Sequence, residues 1–263
     1  MAPTWSLITV TYNSAEALRE YWAGYEPASD VEWIVVDNAS TDDSAAVARE
    51  LGARVIALPE NLGFGGANNV GFRSSSSQYV GFVNPDVSVR PGSLLPLQNV
   101  IDSTGGLVAP QLVNPDGTPQ PNGRGYPFLA EKLRNRLGSD DAASTYRRFA
   151  SAGEDLPVVW FMGAAVLGTR AHFEMLGPWD ERFFVYYEDS DLGLRAAASG
   201  IPRIVSGKIT WVHGWARETT RFEWAPWRRE IPSMAKFYSR YPRLLSPWTR
   251  PMIKSLDRKF GTV

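Results

Sequence analysis

Four apolar, β-branched runs, "SLITVTY", "EWIVVDN", "RVIALP" and "QYVGFVNP", follow one another between Ser6 and Pro85, with amphipathic segments between them. Strands that are apolar on both sides and alternate with helices dictate a largely parallel sheet covered on both faces. Asn13 followed by Glu16 predicts a capping box on the first helix. Ser40 with Asp43 does the same for "DDSAAVAREL", which should stop at Gly52. "SLLPLQNVI" reads as a helix despite Pro96 near its start. In an open α/β sheet ligands bind outside the carboxyl ends of the strands, so function is expected there.

Residues 114 to 157 are polar and irregular, with turn signals in "NPDGTPQPNGRGYP" and a short helix over "EKLRNRL". Core patterning resumes with "VVWFMGAAVLGT", a short helix over "AHFEML", a longer one over "DSDLGLRAAAS" closed by Gly200, and a final strand "KITWVHG". No internal repeat is present, so one α/β domain with a C-terminal appendage is expected. At 263 residues, 44% hydrophobic and 12% aromatic, the chain can bury a substantial core. A formal charge of -1 without runs of like charge gives no electrostatic reason to expect nucleic acid as a partner. The absence of cysteine excludes disulfides, zinc fingers and thiol catalysis. The start "MAPTWSLITVTYNS" has neither a basic leader nor a cleavable apolar stretch, so a cytoplasmic location is expected. The best apolar run, "VVWFMGAAVLG", has 11 residues, short of the roughly 18 that span a bilayer.

From Trp224 to Phe260 the composition changes to nine Lys or Arg against two acids, interleaved with aromatic residues. Two readings stand side by side. Such a segment suits the headgroup layer of an anionic membrane, which would make the protein peripheral on the inner face of the cell membrane. It equally suits a helical hairpin packed on the domain with its basic face in water.

Polar groups cluster at the predicted strand ends: Asn13, Asp37 and Asn38, Asn84 and Asp86, and His213. Turn chemistry explains each taken singly, but Asn-Pro-Asp occurs twice and provides a control. At 114 to 116 it is followed by Gly117, an ordinary turn signal, whereas at 84 to 86 it closes an apolar strand. "NLGFGGANNVG" reads as a glycine-rich loop running into a helix, and it matches neither the dinucleotide fingerprint nor a P-loop. "FFVYYEDSD" sets Glu188, Asp189 and Asp191 directly after five aromatic or apolar side chains. Asp191 and Arg195, four apart on a helix, are expected to pair. Asp189 falls at the helix start, where the positive end of the helix favours a carboxylate.

Together these segments resemble the family 2 glycosyltransferases of GT-A fold, especially bacterial rhamnosyltransferase-like members. The resemblance rests on "VTYN", "VVDNASTD", "NLGFGGANNVG", "FVNPDV", "MGAAVLGTRAHFEMLGPWDERFFVYYEDSDLGLRAAASG" and "WVHG", in the family's order across residues 7 to 214. It implies a glycosyltransferase domain over 1–220, with a nucleotide-sugar half at 1–113 and an acceptor and catalytic half at 114–220, followed by an extension at 221–263.

Carried over residue by residue, the resemblance implies that Thr11, Tyr12, Asn13, Asp37 and Asn38 hold the base and ribose. Gly65 and Asn69 would line the same pocket. Asn84 to Asp86 stands where the family has Asp-x-Asp, and Asn84 contributes no charge. Asp86 and His213 would therefore hold a divalent cation, Mg²⁺ or Mn²⁺, together with diphosphate oxygens and water. For His213 the alternative is a satisfied histidine at a strand end. An inverting transfer needs a base near the acceptor and a cation at the leaving group, on opposite sides of the sugar. The family pattern Glu-Asp-x-Asp places that base on Asp189, with Glu188 orienting the acceptor or a loop. Trp179 and Asp180 would face the acceptor sugars, whereas Trp160 is a stacking face or a core residue. Arg217 and Arg221 would close over the diphosphate or lie solvated in a loop. The nearest family pattern suggests dTDP-L-rhamnose as donor and a cell-surface glycan or polyprenyl-diphosphate-linked glycan as acceptor. Users of UDP-galactofuranose, UDP-GlcNAc and UDP-glucose share the same motifs. The competing classes are a sugar-1-phosphate nucleotidyltransferase, disfavoured because "SLITVTYNS" lacks a glycine-rich basic loop, and a catalytically silent glycan-binding relative.

Overall fold

The computed structural model describes residues 3–136, 146–214 and 224–246, with the side chains of residues 136 and 224–229 outside the description. Strands β1 (Trp5–Thr11) and β2 (Val31–Asp37) pair in parallel over their whole length, so that Thr11 stands opposite Asp37. α1 (Ala15–Tyr21) joins them, and α2 (Ser44–Glu50) leads on to β3 (Arg54–Ala57), which extends the sheet beyond β2. α3 (Gly63–Ser74) returns the chain to β4 (Tyr79–Val83), parallel to β1 on its other side. Side chains alternate across these strands. Leu7, Trp33 and Val35 join the core beneath α1 and α2, while Ile8, Ile34 and Val36 join the core beneath α3.

Beyond β4 the sheet is mixed. The chain runs through β5 (Val87–Ser88), α4 (Leu94–Thr104) and β6 (Leu107–Val113) into the expected excursion. There β7 (Gly123–Arg124), α5 (Leu129–Arg136) and β8 (Arg147–Arg148) are followed by β9 (Asp155–Pro157) and β10 (Trp160–Phe161). The strands β10, β7 and β8 form a small sheet of their own. The excursion hands the chain back at the end where β4 finishes, so β11 (Ala165–Thr169) begins opposite Val83 and runs antiparallel to β4 and β6. α6 (Arg170–Leu176) and α7 (Glu188–Ala198) precede β12 (Arg203–His213), which is parallel to β6 and brings His213 opposite Val87 of β5. The main sheet thus has the order β3-β2-β1-β4-β11-β6-β12-β5, with β9 also on β12.

Three local expectations are corrected. Asn13 does not cap α1. It takes a left-handed conformation at φ 53°, and its Oδ1 accepts from the Thr41 backbone N–H at 2.8 Å, while Asp42 Oδ2 accepts from Ala15 N–H at 3.1 Å. Ser40 likewise does not cap α2: its Oγ accepts from Asn13 N–H at 3.0 Å, and Asp43 holds the cap position without a side-chain bond. These side chains fasten the β1 and β2 tips to each other. The glycine-rich segment is itself α3 rather than a loop before it. Its glycines permit close packing, since a Cβ on Gly71 would lie 2.4 Å from Ile8 Cγ2. The Gly52 stop, at φ 87°, is as expected.

The last described helix, α8 (Trp224–Arg240), is packed rather than appended. Phe237, Tyr238 and Leu244 are buried with Phe128, Phe183 and Tyr187 in a third apolar cluster, so two aromatic residues of the basic segment are core. Trp248 and Phe260 lie outside the described residues. No helix among the described residues is long and apolar enough to cross a membrane.

The base of α7 rests on β10 through Gly193, where a Cβ would lie 2.3 Å from Trp160 Cβ and 2.9 Å from Val159 O. Gly193→Ala is expected to destabilise the fold by about 2 kcal/mol or more, as overpacking against backbone does, read as a lower urea midpoint at unchanged slope.

Candidate active site

Thr11 and Asp37, opposite each other in register, end β1 and β2. Thr11 Oγ1 donates to Asp37 Oδ1 at 3.1 Å, and both residues are buried. Tyr12, at 47% exposed, projects past them. Asn38 turns back into the protein: its amide donates to Asn61 Oδ1 at 2.9 Å and Gly63 O at 3.2 Å, and its Oδ1 accepts from Leu62 N–H at 2.8 Å. Asn69 is used in the same way. It donates to Trp179 O at 2.8 Å and Glu181 Oε1 at 2.9 Å while accepting from Trp179 N–H at 3.1 Å. Both amides are therefore spent on pinning loops, because a buried amide must find its partners locally. Gly65 packs under Trp179, with room for a Cβ only 3.1 Å from Trp179 Cβ.

Across the sheet, Asn84 closes β4 with its N–H donating to Ala164 O at 2.9 Å, and Asp86 stands before β5. The β5–β12 pairing brings His213 beside it, with Nε2 3.4 Å from Asp86 Oδ2. Gln120 fixes the imidazole. Its amide nitrogen donates to His213 O at 2.9 Å and Asn114 Oδ1 at 2.8 Å, so its Oε1 is the acceptor that meets His213 Nδ1 at 2.7 Å. In the neutral ring the lone pair is then on Nε2, toward the carboxylate. Among the described residues no cluster of three or more His, Cys, Asp or Glu is disposed to hold a metal. A cleft of about 280 Å³ between α1, β5 and β12, lined by Tyr21, Tyr25, Arg90 and Thr210, includes none of the site residues named from the sequence.

The acidic cluster opens α7. Tyr186 and Tyr187 both take left-handed conformations, at φ 68° and 73°, a strain of about 1–3 kcal/mol each for bulky residues. That turn sinks Tyr187 against Phe237 and leaves Glu188 as the first helical residue. Glu188 is only 7% exposed and its Oε2 has no hydrogen-bond partner among the described residues. Burial first, and then the neighbouring Asp189, push its carboxyl up to about 8, with the Lys132 ammonium opposing them. Asp189 is half-buried, and its Oδ1 accepts from Ser190 N–H at 2.6 Å and Ser190 Oγ at 3.2 Å.

Asp191 is wholly buried and structural, as its spacing from Arg195 predicts. Arg195 Nε reaches Asp191 Oδ2 at 2.6 Å, and its other nitrogens hold the carbonyls of Gly177 and Pro178. Tyr241 Oη donates to Asp191 Oδ1 at 2.8 Å, and Arg240 lies 3.1 Å from the same oxygen. Asp180 is engaged by Arg182 and by Arg240 at 2.7 Å; hydrogen bonds from Arg182 hold its carboxyl down to about 2. Trp179, expected to face acceptor sugars, is 2% exposed and packs edge-on to Phe64 and Phe82. Its ring is a core element and offers no face to a ligand. Trp160 is core as well, with its indole N–H donating to Gly125 O at 2.9 Å. Arg217 and Arg221 lie outside the described residues.

Residues the sequence did not single out complete the site. Gln120 sits in a turn-rich stretch without any signal. Lys132 lies in the short helix α5 and carries no signal either. Arg124 of β7 is buried with its guanidinium donating to Gly123 O at 3.1 Å and Met162 Sδ at 3.4 Å.

The sheet thus carries an acid and a histidine at adjacent strand ends, and an acid pair opens α7. The profile described as "Glycosyl transferase family 2" matches residues 6–154. The chain belongs to that family. A similar curated protein is the N-acetylglucosaminyl-diphospho-decaprenol L-rhamnosyltransferase of Mycobacterium tuberculosis, 30% identical over 237 residues, or 82% of this chain and 77% of the relative. The low-salt glycan biosynthesis hexosyltransferase Agl10 of Haloferax volcanii is 25% identical over 83% of this chain and 69% of its own. Among solved structures, the mannosyltransferase PcManGT of Pyrobaculum calidifontis, in complex with GDP-Man and Mn²⁺, superposes with a TM-score of 0.61 at 20% identity. It covers 97% of this chain and 69% of its own. TarS 1–349 of S. aureus gives 0.57 at 19% identity, over 81% of this chain and 60% of the TarS fragment. These likenesses confirm the GT-A fold.

Tyr241→Phe keeps the ring in its cluster and removes the hydroxyl from Asp191. It is expected to lower stability by about 1–3 kcal/mol, measured as a reduced urea midpoint.

Proposed function

We propose that the protein is an inverting glycosyltransferase that moves L-rhamnose from dTDP-L-rhamnose to a hydroxyl of a polyprenyl-diphosphate-linked or cell-surface glycan. The observation that carries the chemistry is the division of labour between adjacent acids at the start of α7. Asp189 is half-buried with one oxygen held by Ser190, which leaves its second oxygen to take the proton from the attacking hydroxyl. Glu188 is buried and its carboxyl is pushed up to about 8; in its protonated form it would donate a hydrogen bond toward the acceptor and keep a second negative charge away from the base. The donor assignment draws on the rhamnosyltransferase of M. tuberculosis, whose name gives a lipid-linked acceptor.

Thr11 and Asp37 would take the base and ribose, Asp37 accepting from the pyrimidine N–H. Asp86 and His213 would hold a divalent cation. The fit rests on the donor set: a carboxylate oxygen and an imidazole nitrogen 3.4 Å apart, with the ring oriented by Gln120. Two protein ligands suit Mg²⁺ or Mn²⁺ completed by diphosphate oxygens and water. When bound, the cation supplies positive charge for the departing diphosphate. Asn84 at the end of β4 would offer an uncharged oxygen to the same cation. A lipid-linked acceptor would bring the enzyme to the inner membrane face.

Asp189→Asn is expected to lower kcat by about 10³-fold with nucleotide binding retained, measured as nucleoside diphosphate release beside calorimetric titration of dTDP. Undiminished turnover would refute the base assignment. With wild-type enzyme, release from UDP-sugars but none from dTDP-L-rhamnose would refute the donor. Because burial pushes the Glu188 carboxyl up to about 8, kcat/KM is expected to fall as pH rises through that region. Glu188→Gln, which keeps a donor without titrating, should abolish that fall.

A further inference from the structure

Lys132 projects from α5 into the acidic end of α7, and the reading of Asp189 as base did not require it. Its ammonium lies 3.9 Å from the Tyr187 ring centre and 4.6 Å from that of Trp160, a setting of aromatic faces around one cation. Its Nζ donates to Ser190 Oγ at 2.8 Å, and Ser190 Oγ in turn donates to Asp189 Oδ1 at 3.2 Å. Burial lowers the proton affinity of Lys132, while Asp189, Glu230 and Glu188 raise it. An ammonium held among rings at this cost, without a carboxylate in direct contact among the described residues, is placed for what it does to its neighbours.

We propose that Lys132 is the positioning residue of the transfer reaction: through Ser190 it fixes Oδ1 of Asp189, so that Oδ2 meets the acceptor hydroxyl, and its positive charge faces the acidic start of α7. The relay is directional. The ammonium can only donate, so the Ser190 hydroxyl must turn its own proton to Asp189. That hydroxyl and the Ser190 N–H then occupy one carboxylate oxygen. The groups around the pair come from every neighbouring element. Asp191 is on α7 itself, tied to Arg195 and Arg240. Lys132 comes from α5, Arg124 from β7 and Tyr146 from the segment before β8, the last two both under the influence of Asp189. Glu230 of α8 acts on Lys132. Lys132 is the cation that acts directly on Glu188. A lysine suits this place better than arginine, because a compact ammonium fits between ring faces where a planar fork does not.

The inference rests on Asp189 as base, and the test separates the two. The probes are Lys132→Met, Lys132→Arg and Ser190→Ala, with dTDP-L-rhamnose or whichever nucleotide sugar the wild type turns over. Lys132→Met should lower kcat by about 100-fold, the scale of a misplaced catalytic group, with KM for the donor and the thermal midpoint near wild type. It should also move the alkaline limb of the pH profile, set by Glu188, upward by about one pH unit, because losing a nearby positive charge favours the protonated acid. Ser190→Ala should lower kcat without moving that limb, since the charge remains. Lys132→Arg should keep the limb and recover part of kcat. Wild-type kcat in Ser190→Ala, or an unmoved limb in Lys132→Met, would overturn the proposal, and Ser190→Ala decides if Lys132→Met fails to fold. If Asp189→Asn turns over normally, the base reading itself falls. If Asp189→Asn is inactive while the Lys132 and Ser190 variants behave as wild type, only the assignment of Lys132 falls.

Discussion

The buried carboxylate of Asp191 is the constraint on which the surroundings of α7 depend. An ionised group with no exposed surface survives only with its lone pairs filled, and here Arg195, Tyr241 and Arg240 fill them. Each partner ties down a different part of the chain. Arg195 carries the turn at Leu176 to Pro178, and Arg240 reaches on to Asp180. Tyr241 brings in the end of α8. One internal charge thereby joins the loop before the acids, the helix that bears them and the C-terminal helix into one body.

The two ends of the site are held by different physics. At the end formed by β1, β2 and α3, backbone and side-chain hydrogen bonds between neighbouring loops do the work. Asn13, Ser40, Asp42 and Ser44 interlock the β1 and β2 tips, and Asn38 and Asn69 pin the segments on either side of α3. Gly63, at φ 76°, lets the Phe64 N–H reach Phe184 O at 2.9 Å, where a Cβ would stand 2.4 Å from that carbonyl. At the acidic end, aromatic burial dominates. Tyr187, Trp160 and Phe237 surround the Lys132 ammonium, and burial raises the Glu188 carboxyl while it lowers the proton affinity of Lys132.

The candidate residues at the strand ends could be picked out because chemistry and position coincide there. Asp37, Asp86, His213 and Asp189 stand out as polar groups where an apolar strand or a packed aromatic run terminates. Asn38, Asn69 and Trp179 were misleading for a common reason: a short polar or aromatic side chain near a ligand pocket looks the same in sequence whether it faces the ligand or braces the wall. Gln120 and Lys132 were illegible because their partners are 93 and 58 residues away in the chain.

The amino-acid order alone determined the parallel first half, the helix stops at Gly52 and Gly200, the Asp191–Arg195 pair and the family motifs. Local periodicity and i,i+4 spacing act within one element and need no knowledge of the rest. Only tertiary structure decided that β11 enters antiparallel, that the glycine-rich segment is a helix, and that α8 is core. It also decided that two neighbouring acids differ, one buried with its carboxyl pushed up, the other half-buried and held by Ser190. Burial and hydrogen bonding across distant segments set those outcomes, and neither is a property of any short stretch of sequence.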